Sequence, residues 1–300
     1  MQKITPHLWF DRQAKEAAEF YTRVLANSRV TQLTTLHDTP SGDCDVVSFE
    51  LAGQPFMAIS AGPLFKFNPS ISFILNFDPS KDSQAGDRLK ETWQSLSEGG
   101  SALMPLDSYP FSNLYGWVQD RYGLSWQLLL TNPQGEERPF ITPSLMFTGS
   151  VAGRAAEAID FYCSTFKASR RGTTARYPAG MEPDKEGTLM FADFSVRDTW
   201  LAAMDSAHEH GFTFNEAISL LVPCETQGEI DYYWGKLSAV PEAEQCGWCK
   251  DKFGVSWQIS PTVLGEMMAD GSPEQIDRVT QAFLPMKKID IARLEAAYRG

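Results

Sequence analysis

The densest run of metal-ligand residue types is His208-Glu209-His210, with Asp205 just upstream. In an extended backbone the two imidazoles share one face, a spacing a transition-metal site could use. The repeat described below places this run in a crossing loop, and a solvated polar loop is the reading adopted. Cys246-Gly247-Trp248-Cys249 is a C-x-x-C. Disulfide exchange needs such a pair at a helix N-terminus, where the first thiol's pKa falls. This pair stands ahead of an expected strand, and no second C-x-x-C completes a zinc site. Ordinary thiols are expected there, and structural burial at Cys44, Cys163 and Cys224. Glu229 and Asp231 could act as acids. The helical period of Ile230, Tyr233, Trp234 and Leu237 instead turns both carboxylates to water. Gly235-Lys236 lacks the upstream glycine and following Ser or Thr of a phosphate loop, and no G-x-G-x-x-G occurs. Neither a nucleotide nor S-adenosylmethionine finds support, and no catalytic residue is assigned.

Composition narrows the partners. Asp and Glu number 38 against 26 Lys and Arg, a formal charge of −12. That sign opposes attraction to nucleic acid phosphates or anionic lipid, so neither is an expected partner. No apolar run approaches the roughly 18 residues of a membrane span. The start, MQKITPHLWFDRQ, lacks the apolar core of a signal peptide. Five irregularly spaced cysteines make no disulfide framework, and a cytoplasmic location is expected.

The elements that position side chains come from a repeat. Ile4-Thr5-Pro6 recurs as Ile141-Thr142-Pro143, Phe20-Tyr21 as Phe161-Tyr162, and Ile71-Ser72 as Ile218-Ser219. Gly116-Trp117, Asp120, Gly123 and Ser125-Trp126-Gln127 recur as Gly247-Trp248, Asp251, Gly254 and Ser256-Trp257-Gln258. We divide the chain into a first domain at 1–132, a polar linker at 133–139, a second domain at 140–261 and a helical extension at 262–300. In the first domain, strands are expected at His7–Phe10, Arg29–Leu36, Val46–Leu51, Pro55–Ile59, Ile71–Phe77, Ala102–Leu106, Gly116–Gln119 and Ser125–Leu130. Helices are expected at Ala14–Val24 and Gly86–Leu96. Each domain thus reads as two βαβββ units. In the extension, Ser272-Pro273-Glu274-Gln275 combines an N-cap, a proline at the first helical position and a capping box. A second helix is expected over Ile289–Tyr298.

The segments TPHLWF…EAAEFY and TPSLMF…EAIDFY, with FNEAIS, QGEIDYYW, CGW, DKFGVSWQI and MKKIDIARLE, are similar to a known family. They resemble the PhnB-like branch of the vicinal oxygen chelate superfamily, often labelled "3-demethylubiquinone-9 3-methyltransferase domain". The superfamily includes glyoxalase I, extradiol dioxygenases and bleomycin resistance proteins. The resemblance implies an α+β fold: two tandem glyoxalase-like domains, each of paired βαβββ modules whose curled mixed sheets surround a cleft. It also implies that the two repeats pack as the two chains of a homodimer do in single-copy relatives. An internal pseudo-dimer is therefore expected, with further oligomerisation open. Enzymes of the superfamily hold a divalent metal in the cleft on ligands from the first and last strands of each module. The matching positions here are His7, Ser60, Ser72 and Gln127 in one repeat and Ser144, Asp205, Ser219 and Gln258 in the other.

These eight residues are the candidate ligand-binding cleft, and His7 is the candidate metal ligand. Strong donors are scarce among them, since only His7 and Asp205 bind divalent ions well. Gln127 and Gln258 could aim amides into the clefts, or satisfy nearby backbone while Trp126 and Trp257 fill the core. Ser72 and Ser219 could line a cleft or serve structure. Three functions stay open: a protein binding a small organic molecule without the usual metal quartet, a metal-dependent lyase or dioxygenase, and a non-catalytic scaffold whose C-terminal helices dock a partner. Unequal first strands, His7 against Ser144, point to the first repeat as the active one.

Overall fold

The structure, a computed structural model, describes residues 3–132 and 137–300. Positions 133–136 of the expected linker lie outside the described residues. In chain order the first module is β1 (Thr5–Phe10), α1 (Ala14–Val24), β2 (Arg29–Thr39), β3 (Gly42–Leu51) and β4 (Gln54–Ser60). The second is β5 (Ile71–Phe77), α2 (Ala85–Ser97), β6 (Ser101–Tyr109), β7 (Ser112–Gln119) and β8 (Ser125–Leu130). The third is β9 (Ile141–Phe147), α3 (Ala155–Thr165), β10 (Arg170–Arg176), β11 (Leu189–Val196) and β12 (Thr199–Asp205). The fourth is β13 (Ile218–Cys224), α4 (Gln227–Leu237), β14 (Trp248–Lys250) and β15 (Ser256–Pro261), followed by α5 (Thr262–Asp270), α6 (Pro273–Phe283) and α7 (Ile291–Arg299).

The modules form two mixed sheets, and each sheet draws one module from each sequence repeat. The first runs β14-β15-β13-β1-β4-β3-β2, the second β10-β11-β12-β9-β5-β8-β7-β6. The seam between modules is antiparallel in both: β1 pairs with β13, His7 opposite Ser219, and β5 with β9, Ser72 opposite Ser144. The compact units follow the sheets. One takes the chain to Thr22, Ser28–Lys66 and Asn215–Gly300; the other takes Arg23–Asn27 and Phe67–Phe214.

Strand alternation assigns the two faces of each sheet. In the first, Leu8, Val47, Phe49, Ala58, Leu220 and Trp257 are fully or almost fully buried on one face. Ser48, Met57, Leu221 and Trp248 lie half-buried on the other. A repeated aspartate fixes the turn into the last strand of the second and fourth modules. Asp251 accepts from the backbone N–H groups of Phe253 (2.8 Å) and Val255 (3.1 Å) and from Trp257 Nε1 (2.8 Å). Asp120 does the same for Tyr122, Leu124 and Trp126. Gly123 and Gly254 turn each loop at φ +88 and +92, a region open to glycine. The tryptophan of Ser-Trp-Gln is thereby locked into the core, and its neighbour glutamine faces the opposite side.

The fourth module lacks the strand that β6 supplies in the second. Pro241 starts a short 3₁₀ turn there, because it has no N–H to donate to a ladder. The C-terminal extension takes over that edge: Cys246 and Gly247 donate backbone N–H groups to the carbonyls of Met286 (2.7 Å) and Lys287 (2.8 Å). Helix α6 begins with the expected capping box on Ser272 and Gln275. Helices α5 to α7 bury Met267, Val279, Phe283, Met286, Ile289 and Leu294 among themselves. Among the described residues, no helix is long and apolar enough to cross a membrane.

Candidate functional site

In the first sheet the strand registers bring His7, Ser219, Gln258, Ser256 and Trp248 to one face. Gln258 lies opposite Trp248 and donates from Nε2 to Ser219 Oγ at 2.7 Å. Ser219 lies opposite both His7 and Ser256. The His7 and Trp248 rings meet edge-on at 5.5 Å. His7 is 4 % exposed, and burial lowers its pKa from 6.5 to about 3, so its imidazole stays neutral. Much of this polarity is unspent. Ser256 Oγ is buried without a hydrogen-bond partner. Among the described residues, neither ring nitrogen of His7, nor Trp248 Nε1, nor Gln258 Oε1 has one either.

The corresponding face of the second sheet is internally satisfied. Gln127 Nε2 donates to Ser72 Oγ (2.7 Å), as in the first sheet, but Gln127 Oε1 also accepts from Tyr115 (2.8 Å). Trp117 Nε1, the counterpart of Trp248, donates to Ser125 Oγ at 2.6 Å. Tyr115 occupies the place of Cys246 in the first sheet, whose thiol donates to the Leu284 carbonyl at 3.1 Å instead. Further along the face, Arg138 forms a fork with Asp193 (2.7 and 3.2 Å) and stacks over the Trp200 ring at 3.9 Å. Asp193 also accepts from the backbone N–H of Thr173. Gly172 is needed beside this cluster, since a Cβ there would lie 2.0 Å from Asp193 Oδ1. Only Ser144 Oγ, where the first sheet has His7, is left buried and unpartnered among these serines.

Two expected cleft residues lie elsewhere. Ser60 and Asp205 are on the helix-packed side, because they alternate with Met57 and Met204 and pair with Phe10 and Phe147. Both tie down a helix start: Ser60 Oγ accepts from the Ala14 N–H (3.1 Å), and Asp205 accepts from Ala155 (3.0 Å) and Leu189 (2.9 Å). They occupy equivalent strand positions, and both serve as caps. The His208-Glu209-His210 run is a loop. His210 Nε2 meets Ser206 Oγ at 2.7 Å, and His208 lies 3.5 Å from Asp184, whose carboxylate already accepts from the Ala207 N–H. Cys246 and Cys249 are free thiols, and burial raises their pKa values to about 11 and about 12, so neither is a poised nucleophile. Glu229 accepts from the Glu225 N–H, and Asp231 pairs with Lys288 at 2.6 Å.

The donors on these faces do not fit a divalent metal. The first offers one imidazole among hydroxyls and a neutral amide, which supply no charge against a dication. On the second, the carboxylate of Asp193 is held by Arg138. Among the described residues, no three His, Cys, Asp or Glu side chains converge.

The family model described as 3-demethylubiquinone-9 3-methyltransferase matches the chain twice, over residues 2–129 and 139–260. The chain belongs to that family. The strands of both polar faces lie within the two 3-demethylubiquinone-9 3-methyltransferase repeats, whereas α5 to α7 lie beyond them. Among solved structures, the PhnB protein of Bacillus cereus, described as a putative 3-demethylubiquinone-9 3-methyltransferase, is 33% identical over 43% of this chain and 100% of its own, with a TM-score of 0.39. Glyoxalase I from Zea mays is 12% identical over 84% of this chain and 89% of its own, with a TM-score of 0.51, a likeness of fold. A putative dioxygenase from Bacillus subtilis is 11% identical over 97% of this chain and 94% of its own, with a TM-score of 0.49. A comparison with curated proteins finds no match. The tandem 3-demethylubiquinone-9 3-methyltransferase repeats thus carry the PhnB-like, glyoxalase-related fold.

Sequence reasoning missed Trp248, Ser256 and the Arg138–Asp193–Trp200 cluster as site features. A signal for the first two was present, because Trp248 and Ser256 sit in the same repeated segment as Gln258. The cluster had no such signal: its members are scattered over two strands and the linker, and have no counterpart in the other half.

Proposed function

We propose that the concave face of the first sheet binds a small organic molecule without a metal. The observation that carries this reading is the contrast between two matching faces. The second spends its amide oxygen and indole N–H on Tyr115 and Ser125, while the first leaves Gln258 Oε1, Trp248 Nε1 and Ser256 Oγ unspent beside His7. The buried, unpartnered Ser256 hydroxyl is destabilising by about 1–3 kcal/mol, and a ligand that completes it removes that penalty. The neutral donor set supports binding without a metal.

The extension shapes the same face. Gln32, on the far strand of the face, donates to the Met268 carbonyl at the end of α5 (3.2 Å). Leu36 packs both against the Cys44, Ile59 and Ala61 cluster, which Trp9 and Val46 also cover, and against the α5–α7 cluster. The helices therefore pack against the β2 end of that face. A thermal-shift screen of a metabolite library, with and without added divalent ions, tests the reading. Stabilisation by an organic compound in chelator-treated protein, lost in Trp248→Phe, is the expected result. Stabilisation only when a metal is added, or no stabilisation by any compound, contradicts it.

A further inference from the structure

We infer that the ligand of the first cleft is an uncharged, flat molecule carrying both a hydrogen-bond donor and an acceptor, read by Gln258 and Trp248. This rests on the reading of that face as a binding site and names the chemistry it selects. The unspent groups fall into complementary types. Gln258 Oε1 accepts, Trp248 Nε1 donates, and Ser256 and the neutral His7 ring can do either. The Ser219 hydroxyl fixes the amide by accepting from its Nε2, so the oxygen is the end left for a ligand's N–H or O–H. Trp248 and Trp9 add aromatic surface at the same face, which favours a flat body.

The charge pattern excludes ionic ligands. The strand residues of this face carry charge only as Lys250, held by Glu216 at 2.6 Å, and the Arg29–Glu50 pair at 2.8 Å. Among the described strand residues of this face, no cation is left over for a carboxylate or phosphate, and no anion for an ammonium. Burying an unpaired ion beside a neutral imidazole and amide would leave its charge uncompensated. The contrast with the other sheet is instructive, because there a fixed Arg138–Asp193 pair sits on the corresponding surface.

Benzamide, benzoate and benzamidinium have nearly one shape and differ in charge, so they test the inference directly. They are titrated into the full chain while the indole N–H signal of Trp248 is followed by NMR. Benzamide is expected to bind at least tenfold more tightly than either ion. Gln258→Met should weaken benzamide at least tenfold, and Trp248→Phe should do so independently of any folding defect at position 258. Gln258→Glu should move the preference to benzamidinium. Benzoate or benzamidinium binding as well as benzamide to the wild type, or benzamide affinity unchanged in Gln258→Met and Trp248→Phe, overturns the inference. So does failure of benzamide to bind when the library screen has found a ligand, and in that case the binding reading survives. If the screen also finds nothing, both fall.

Discussion

At the scale of the residue, the same side chain has different work depending on what its neighbours leave it. Gln127 and Gln258 occupy matching places, yet Tyr115 spends the oxygen of the first and no described residue spends that of the second. Loss of Asp251 should be felt in stability, because its buried carboxylate holds two backbone N–H groups and the Trp257 indole. Asp251→Ala should lower the unfolding free energy by at least about 2 kcal/mol in urea titration; a change below about 0.5 kcal/mol would mean that the turn holds itself. His7 should shape the acid limb of stability. Below pH 6.5 the unfolded imidazole takes up a proton that the folded one refuses until about pH 3. Stability therefore falls as the pH drops through that window, with a slope of at most about 1.4 kcal/mol per pH unit. His7→Leu should flatten that limb of a urea-midpoint profile, and an unaltered slope would show that His7 ionises freely. The glutamines were legible from the sequence because they repeat. Trp248 was not, because its importance lies in a bond that its counterpart Trp117 makes and it does not.

At the scale of the element, alternation and turn chemistry made the strands and helices readable. Module pairing was not readable. Strands β1 and β5 have equally apolar patterns, and nothing local in Ile71–Phe77 says that its antiparallel neighbour is β9. The missing fourth-module strand also escaped, since its replacement comes from Met286 and Lys287, far along the chain. The extension's core is small, so single residues matter. Leu294→Ala, at a fully buried position, should cost about 2–5 kcal/mol. Ending the chain at Pro261 should uncover Leu36 and its neighbours, detectable as a rise in binding of an apolar fluorescent dye. Dye binding equal to that of the full chain would show that the helices do not pack against the face.

At the scale of the whole molecule, each sheet needs one module from each repeat. Residues 1–132 expressed alone contain only half of each sheet, and should form a dimer by sedimentation; a stable folded monomer would contradict the cross-repeat pairing. A tandem chain is also free to let its halves diverge, which two identical subunits are not. The spent and unspent faces are that divergence, and the proposed function predicts one ligand per chain. The measurement that tests this most directly is the NMR spectrum of the indole N–H groups during titration with a compound from the thermal-shift screen. The Trp248 signal should move and saturate while that of Trp117 stays in place. Movement of Trp117 with Trp248 unmoved would contradict the account.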